Sequence, residues 1–413
     1  MGPKQNRYRT GNQSLVREIN LSAIMNRMHK HAPVSRSALA EMTGLNKTTV
    51  SSLVQELIDH QFVREIGFDT AGTGRPARLL EFNPEAGCII SAEIIDTGFI
   101  SVICANFTNN IIWRTKETFD HKSNPQTAIR RLFTLLHQAV DATRTVYGPV
   151  LGLAVGVPGL VDHKSDTLLF APNLNWENVP LGVLLREEFG RLVFVDNEAN
   201  LAALGEYYFG AAKECNNALY ISGSVGIGGG IIHGGQLVTG ATGFAGELGH
   251  MTIDPHGELC SCGSRGCWET LVSQSAIFNR IQQAIDRQQP TILSKKGNGN
   301  SDQLTVSALS KAARAGDKLV LTVLEETACY LGIGIASLVN VLNPELVVLG
   351  GIHCSLGEFM LPTIKQELKH RALRWSAKAT RVVLAQQGSD ACVMGGLARV
   401  YQAILAQPGA VTN

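Results

Sequence analysis

The spacing of apolar residues over the first sixty positions predicts three helices. A helix over residues 14–31 would bury one face, whose members recur at intervals of three and four: Leu21, Ile24, Met25 and Met28. Ser35 can cap a second, short helix, Arg36–Met42, which ends before Gly44. Asn46 can cap a third helix. Two helices joined by a short turn that contains a glycine form a helix-turn-helix.

The third predicted helix has two different faces. Its apolar face repeats at helical intervals through Val50, Leu53, Val54, Leu57 and Ile58. Its opposite face is small and polar with one cation: Lys47, Thr48, Thr49, Ser51, Ser52 and Gln55. These side chains suit a helix that lies in the major groove of DNA, and Arg36 is included among the predicted DNA contacts. The alternative is a small helical module that binds another protein.

A hairpin with a glycine-rich tip is predicted to follow the third helix. Apolar stretches at residues 62–66 and 79–82 flank the tip, which contains Gly74, Arg75 and Pro76. An arginine on a narrow, stiff support can enter the minor groove, whereas an ordinary hairpin would leave the charge in solvent. We therefore predict that residues 1–85 form a winged helix-turn-helix domain.

Beyond residue 86, short apolar stretches alternate with helical patterns, which predicts an α/β body with a mixed sheet. Strand candidates lie at residues 88–95, 99–105, 150–157, 192–195, 218–222, 345–349 and 381–385. Helical patterns lie near residues 126–147, 180–189, 199–211, 269–286, 304–315, 317–342, 357–370 and 391–405. The polar stretch 287–303 is predicted to be a surface loop.

Composition and charge add a preference for nucleic acid at one end of the chain. The 413 residues are 45% hydrophobic and 17% charged, with a net charge of +1. Residues 1–82 hold 11 Lys+Arg and 7 Asp+Glu, a balance of +4, which leaves 25 and 28 for the remainder, a balance of −3. A basic module on a weakly acidic body is typical of a DNA-binding protein.

The chain shows no signal for export or for membrane insertion. Its first residues have no apolar core, and the most apolar run, residues 331–342, is shorter than the roughly 18 residues that span a bilayer. Nine cysteines, most of them isolated, argue against a disulfide framework. We therefore expect a cytoplasmic protein with no membrane partner.

The segment from Gly246 to Glu269 concentrates metal-binding chemistry. It holds one imidazole and three thiols in the spacing H-x9-C-x-C-x4-C: His250, Cys260, Cys262 and Cys267. Four such ligands complete a tetrahedral zinc site and leave no position for a reactive water, so the metal would be structural. The alternative, three buried cysteines and an exposed histidine, is the less economical explanation for such a dense group.

Two carboxylates, Glu247 and Glu269, bracket these ligands, and paired acceptors suit a polyhydroxylated ligand such as a sugar. The run G-E-L-G-H followed by C-x-C-G-x-x-G-C-x-E resembles the signature of the ROK family, which contains sugar kinases and sugar-responsive repressors. The resemblance implies that the histidine and cysteines hold zinc, and that Glu247, His250 and Glu269 contact sugar hydroxyls.

The resemblance to the ROK family extends over nearly the whole chain. The run L-N-K-T-T-V-S-S-L-V and the G-R-P element are similar to the winged-helix headpiece of ROK repressors, which the kinases lack. The implied body is actin-like, or ribonuclease-H-like, with two α/β lobes and a cleft. We assign residues 86–197 with about 385–413 to the smaller lobe, and residues 198–384 to a larger lobe with the zinc site and a dimerisation surface.

Two loops differ from those of ROK kinases. The family's first phosphate loop has the form D-x-G-G-T, and here Ile95 and Asp96 replace its two glycines. A branched side chain blocks the approach of phosphate, and a carboxylate repels it. In the second loop, G-T-G-x-G-G-G, Val225 replaces the threonine. We therefore expect no enzymatic activity, and a kinase with a fused DNA-binding headpiece remains the alternative.

The catalytic base of the kinases corresponds to Glu198, in the sequence D-N-E-A-N. Its longer side chain suits hydrogen bonding to a sugar better than positioned proton transfer. We interpret Asn197 and Glu198 as sugar contacts, with simple helix capping as the alternative. The resemblance adds Gly159, whose backbone would meet the sugar, and Asn173.

The hypothesis is a sugar-responsive repressor that binds an operator as a homodimer or a dimer of dimers. Several motifs, among them A-P-N-L-N-W and S-V-G-I-G-G-G, are most similar to xylose-responsive family members. Glucose, N-acetylglucosamine or a protein partner remain alternative effectors.

Overall fold

The computed structural model describes residues 13–69, 77–120, 124–190, 192–295 and 304–409. The predicted wing-tip residues Gly74, Arg75 and Pro76 lie outside these ranges. The described chain forms an N-terminal head followed by two α/β lobes.

The head contains three helices and a small three-stranded sheet. Its helices are α1 (Gln13–His31), α2 (Arg36–Thr43) and α3 (Lys47–Asp59), and its strands are β1 (Val34–Ser35), β2 (Val63–Asp69) and β3 (Ala77–Phe82). Ser35 and Asn46 accept backbone N–H groups at the starts of α2 and α3, as the sequence predicted. Strand β3 lies between β1 and β2, and the two-residue β1 was not predicted.

The smaller lobe is built on a mixed five-stranded sheet in the order β11-β7-β4-β5-β6. Its strands are β4 (Cys88–Ile95), β5 (Phe99–Asn106), β6 (Ile111–Thr118), β7 (Val150–Val157) and β11 (Leu192–Asn197). Helices α4 (Pro125–Tyr147) and α5 (Leu181–Phe189) cover it. A separate antiparallel sheet, here called the flap, consists of β8 (Leu160–Asp162), β9 (Thr167–Ala171) and β10 (Trp176–Val179).

The larger lobe has a second five-stranded sheet in the order β14-β13-β12-β15-β16. Its strands are β12 (Ala218–Gly223), β13 (Ile227–His233), β14 (Gln236–Leu237), β15 (Leu346–Gly350) and β16 (Arg381–Leu384). Its helices include α6 (Glu198–Phe209), α7 (Glu269–Val272), α8 (Gln274–Asp286), α9 (Val306–Arg314) and α10 (Lys318–Leu342). They continue with α11 (Gly351–Ser355), α12 (Gly357–Arg371) and α13 (Arg374–Ala379), whereas the final helix α14 (Ala391–Ala406) packs on strands β4 and β7 of the smaller lobe.

Helix α10 has 25 residues and contains the apolar run 331–342 identified in the sequence. By length and composition alone it could cross a membrane, and 56% of its most apolar window is buried inside the protein. Burial on that scale is expected of a core helix. Trp176, at the end of the A-P-N-L-N-W motif, is likewise a core residue, since it is 1% exposed.

The head shares a hydrophobic core with the body. Residues of α1 and the hairpin pack with residues of β5, β7 and α14 in one buried cluster. Phe107 lies at its centre, with ring-centroid distances of 5.1 Å to Phe62, 5.4 Å to Phe82 and 5.3 Å to Tyr401. A shared aromatic core of this kind makes the position of the head depend on that of α14.

Candidate ligand cleft and metal centre

The four predicted metal ligands converge on one point. The ligand atoms of His250, Cys260, Cys262 and Cys267 all lie within 4.8 Å of one another. Cys262 Sγ is 3.6 Å from Cys267 Sγ, and Cys260 Sγ is 3.7 Å from His250 Nδ1. A tetrahedral zinc with Zn–S bonds of about 2.3 Å separates two thiolates by roughly 3.8 Å, so the four residues fit such an ion. This cluster can bind a metal.

Local backbone geometry explains why these ligands meet. Gly266 has φ +64°, and a Cβ at that position would lie 1.5 Å from the carbonyl oxygen of Asp254. The segment can therefore fold back on itself only with glycine there. The next residues anchor it, because Trp268 is fully buried and its indole Nε1 donates to the backbone oxygen of Tyr330 at 2.9 Å.

A cavity of about 510 Å³ lies between the lobes and beside this centre. All seven residues predicted to contact a sugar line it: Gly159, Asn173, Asn197, Glu198, Glu247, His250 and Glu269. Its volume lies in the range of small-molecule sites, about 300–1,000 Å³. Among the described residues, the lining of the cavity contains Asp and Glu but no Lys or Arg. The cavity therefore offers hydrogen-bond acceptors to a neutral, hydroxyl-rich ligand.

The metal centre forms part of the cavity wall through His250. Its Nδ1 faces Cys260, and its Nε2 lies 3.8 Å from Glu247 Oε2, on the side of the cavity. Glu269 Oε1 lies 2.9 Å from Cys260 Sγ, so this carboxylate also stands between the thiols and the cavity. Burial raises the pKa of Glu247, opposed by the neighbouring His250.

Asn197 and Glu198 occupy the first turn of α6 at the floor of the cavity. Asn197 Oδ1 accepts the N–H of Ala199 at 2.8 Å, and its Nδ2 donates to the oxygen of Gly159 at 3.0 Å. The capping alternative considered for Asn197 is therefore realised. Glu198 Oε2 is buried and lacks a hydrogen-bond partner among the described residues. Burial, reinforced by the charge of Asp96, raises the pKa of Glu198 well above its usual value.

The structure also brings polar residues to the cavity that the sequence analysis did not assign to a ligand. Asp96 Oδ2 accepts a hydrogen bond from Asn173 Nδ2 at 3.0 Å. Asp196 is buried, accepts from Asn200 Nδ2 at 3.0 Å and lies 3.6 Å from His163 Nε2. The sequence could have indicated a ligand contact for Asp96, because a carboxylate there replaces a glycine of the first phosphate loop of ROK kinases. His163 lies on the flap, whose strands were not predicted.

The predicted DNA-binding face on α3 is accessible. Lys47, Thr48, Ser51, Ser52 and Gln55 are exposed, and Thr49 is partly exposed. Arg36 is different, because its guanidinium pairs with Glu65 on β2, which Arg78 also contacts. These pairs hold the pKa of Glu65 below its usual value and tie α2 to the wing strands. An arginine held in this way joins the two parts of the head to each other.

Comparison with known proteins agrees with the fold. The sequence profile of the ROK family matches residues 94–403, and that of the IclR helix-turn-helix domain matches residues 23–67. The chain therefore belongs to the ROK family and carries an N-terminal helix-turn-helix. The predicted fold is confirmed.

Individual relatives include both regulators and a kinase. The chain is 33% identical over 399 residues to the xylose repressor of Caldicellulosiruptor bescii, covering 96% of this chain and 99% of that protein. Its fold is similar to that of a ROK family transcriptional regulator, a homologue of the E. coli MLC protein, with TM-score 0.85, 27% identity and coverage of 96% and 99%.

A glucokinase of the ROK family from Streptomyces griseus, in complex with glucose and AMPPNP, is similar to this chain with TM-score 0.67 and 31% identity. The match covers 75% of this chain and 98% of the glucokinase. The body is thus shared with kinases, whereas the regulator also shares the head.

Proposed function

We propose that this protein is a transcriptional repressor that binds double-stranded DNA through its head and loses affinity for its operator when a monosaccharide occupies the cavity. The observation that carries the proposal is the convergence of all seven predicted sugar contacts on one cavity of a protein with a helix-turn-helix. Xylose is the proposed effector, supported by a relative named xylose repressor.

The cavity supplies suitable chemistry for a neutral sugar. Carboxylates accept hydrogen bonds from hydroxyls, and a protonated Glu198 would also donate one. Its buried Oε2 has no partner among the described residues, so a sugar hydroxyl would satisfy it. Glu247, His250 and Glu269 would bind the opposite side of the same ligand.

A continuous route connects the cavity to the head. Helix α6 begins at Glu198 in the cavity, and its 12 residues span about 18 Å to its end at the head. Near its end, the ring of Tyr208 lies 5.8 Å from that of His29 on α1. His29 also lies 5.2 Å from Tyr401 on α14. A shift of α6 on sugar binding would therefore reach the head directly.

Helices α6 and α14 would move as one unit. A Cβ on Gly395 of α14 would lie 1.6 Å from the backbone oxygen of Leu201 on α6, so the two helices touch backbone to backbone. Such close packing leaves no room for independent sliding. Both helices contact His29, so their joint movement would change the angle of the head.

Zinc is the proposed ion for the four-ligand cluster, which His250, Cys260, Cys262 and Cys267 would hold. Three thiolates and an imidazole prefer zinc among the common divalent ions. The ion would supply rigidity and take no part in catalysis. It would hold His250 with its Nε2 towards the cavity, which orients one wall of the sugar site.

A homodimer is proposed because a helix-turn-helix of this size reads one half-site of an operator. The larger lobe offers a surface for it. Three large apolar side chains are exposed there: Val341 by 79%, Leu373 by 65% and Trp375 by 80%. Leu373 lies near Val341, because its N–H donates to the side chain of the adjacent Asn340. Such large exposed side chains grouped at one end of a lobe indicate a protein contact.

The test uses the full-length protein and duplex DNA that it selects from a random pool. D-Xylose, D-glucose and N-acetylglucosamine are then titrated against the complex. We expect D-xylose to weaken DNA binding about 5- to 150-fold, the usual range of allosteric coupling. Lys47→Ala should weaken DNA binding and leave sugar binding unchanged, whereas Lys311→Ala on the larger lobe should change neither. A complex that none of the sugars weakens would overturn the proposal.

Kinase activity is the second candidate function, because Glu198 retains a carboxyl at the position of the base and the body resembles that of a glucokinase. We propose that it is absent, since the carboxylate of Asp96 stands where a phosphate would lie. Incubation with ATP and each sugar should release no ADP above the background. Turnover of several per second, which is typical of an enzyme, would contradict this.

A further inference from the structure

Asp96 has an unusual position for a residue that replaces a glycine. It lies in the turn between β4 and β5, closed by a hydrogen bond from the N–H of Gly98 to the oxygen of Ile95 at 3.0 Å. Its carboxylate lines the cavity together with Glu198 and Glu247. Asn173 on the flap side donates to it at 3.0 Å, which fixes its direction. An oriented carboxylate at the end of a ligand cavity is placed to select among ligands.

The position of Asp96 relative to Glu198 indicates which end of a sugar it would meet. In a kinase with this body, the hydroxyl that receives phosphate lies between the base and the phosphate loop. In a hexopyranose the least hindered acceptor is the oxygen of the exocyclic hydroxymethyl group. Glu198 and Asp96 correspond to those two positions by their sequence motifs, and both line one cavity. The space of the hydroxymethyl group is therefore next to the Asp96 carboxylate.

We propose that Asp96 is a specificity-determining residue that selects an aldopentose over the corresponding aldohexose. Its carboxylate takes the volume of the hydroxymethyl group and accepts a hydrogen bond from the neighbouring ring hydroxyl. Asn173 holds it in this direction. The inference rests on the proposed sugar site and assigns the discrimination between aldopentose and aldohexose to Asp96.

The carboxylate of Asp96 would affect both phosphate binding and hydroxyl binding. A negative charge beside Glu198 disfavours a phosphate group, whether from ATP or on a phosphorylated sugar. It also favours a neutral hydroxyl, which donates to it. A glycine in this turn would give neither effect, because it leaves the space open and offers no acceptor.

D-Xylose and D-glucose are a matched pair of probes, since the two pyranoses differ only by the hydroxymethyl group at C5. Binding of both sugars to the full-length protein is measured by calorimetry, for the unmodified chain and for Asp96→Gly and Asp96→Asn. Asp141→Asn, an exposed residue on α4, is the control. We expect the unmodified protein to prefer D-xylose, and Asp96→Gly to lose about tenfold in xylose affinity while gaining affinity for glucose.

Asp96→Asn keeps the volume and removes the charge, so it should weaken xylose binding without admitting glucose. If Asp96→Gly and Asp96→Asn both bind the two sugars as the unmodified protein does, Asp96 does not determine specificity, although the sugar site stands. If the unmodified protein binds neither sugar, the proposed effector fails and this inference fails with it.

Discussion

The carboxylates of the cavity differ in exposure and in their hydrogen-bond partners. That difference decides how a substitution of each one affects folding and ligand binding. Glu198 is buried and its Oε2 has no partner among the described residues, Asp196 Oδ1 accepts from the N–H of Asn197 and from Asn200 Nδ2, and Glu247 is partly exposed beside His250. A partly exposed acceptor at the cavity wall can be removed at little cost to folding. Glu247 is therefore the most informative position for testing ligand binding.

Glu247→Ala should give a repressor that sugar no longer releases. Loss of a charged hydrogen bond to a hydroxyl costs about 1.5–3 kcal/mol, which corresponds to more than tenfold in sugar affinity. DNA affinity without sugar should not change, because the residue is remote from the head. Anisotropy of labelled operator DNA over a sugar titration measures both. Glu187→Ala, an exposed glutamate of α5, should respond to sugar normally; full release of the Glu247 variant would remove this residue from the site.

Glu93 on β4 provides a prediction about pH. Burial raises its pKa from 4.5 to about 7, and its Oε2 has no partner among the described residues. The folded state then holds the proton more tightly than the unfolded chain, so the stabilisation is complete below pH 4.5 and is lost as the pH rises through 7. The full loss amounts to about 3 kcal/mol at 1.36 kcal/mol per pKa unit.

The Glu93→Gln variant should not lose this stability as the pH rises, because glutamine does not ionise. Urea unfolding at pH 5 and at pH 8 should show the variant gaining stability relative to the unmodified chain at the higher pH, by up to about 3 kcal/mol. Glu187→Gln should follow the unmodified protein at both values. Parallel pH dependence of the Glu93 variant and the unmodified chain would mean that the carboxyl is already ionised at pH 5.

At the scale of elements, the function depends on segments that join distant parts of the chain. The metal loop links β14 to α7 and carries part of the proposed sugar site on its surface. Helix α6 links the cavity to the head. Each can be disrupted by a substitution that leaves the rest of the fold in place.

Removal of the metal should weaken sugar binding before it affects DNA binding. We expect about one zinc per chain in the purified protein, and none in Cys262→Ser, whose thiol is the exposed ligand. Without the ion His250 loses its fixed orientation, so sugar affinity should fall about tenfold or more, in the range seen when groups that orient a metal site are lost. Metal analysis with calorimetry measures both quantities, with Cys329→Ser as control; equal sugar affinity with and without metal would refute the proposed role.

Tyr208→Leu should separate sugar binding from DNA release. Tyr208 contacts His29 of the head, whereas the adjacent Tyr207 directs its hydroxyl towards Gly235 in the β13–β14 turn. Both variants should bind sugar and operator, but only Tyr208→Leu should lose coupling, so that saturating sugar weakens operator binding less than about fivefold. Equal loss of coupling in Tyr207→Leu would show that α6 is merely destabilised.

At the scale of the whole molecule, the proposed homodimer would bring two heads to one operator. The exposed group of Val341, Leu373 and Trp375 is on the larger lobe, far in sequence from the head. A dimer formed through the larger lobes would leave both heads free to bind DNA. Their spacing would then depend on the angle that α6 and α14 impose.

Trp375→Asp should convert the protein to a monomer that still binds sugar. A charge in the centre of an apolar contact costs several kcal/mol when it is desolvated. Analytical ultracentrifugation should show a halved mass, and operator affinity should fall because one head contacts one half-site. Val183→Asp, on the smaller lobe, should stay dimeric. A Trp375 variant that keeps the mass of the unmodified protein would place the interface elsewhere.

The sequence predicted most helices and the central strands because their apolar residues repeat regularly. Helices α1, α2 and α4 were expected within one or two residues of their observed bounds, and both head caps were identified from single polar residues. The flap strands β8, β9 and β10 were missed, since they are short and alternate poorly. They carry residues 160–179, which form one wall of the cavity.

The metal cluster and the cavity residues could be predicted because their side chains crowd one segment or match a family motif. Cys260, Cys262 and Cys267 lie so close along the chain that any compact fold brings them together. The sequence did not indicate that Arg36 pairs with Glu65, or that the side-chain amide of Asn197 donates to the backbone oxygen of Gly159. Such pairings depend on neighbours that are distant in sequence.

What the sequence determined by itself is therefore chemistry held within short segments: the helix-turn-helix pattern, the four metal ligands and the loss of glycines from the first phosphate loop. Only the tertiary structure decided how these parts are connected. The contact of α6 with both the cavity and His29, and the direction of Asp96 towards Asn173, each join residues far apart along the chain. Local periodicity carries no information about such pairs, because packing of whole elements sets their distances.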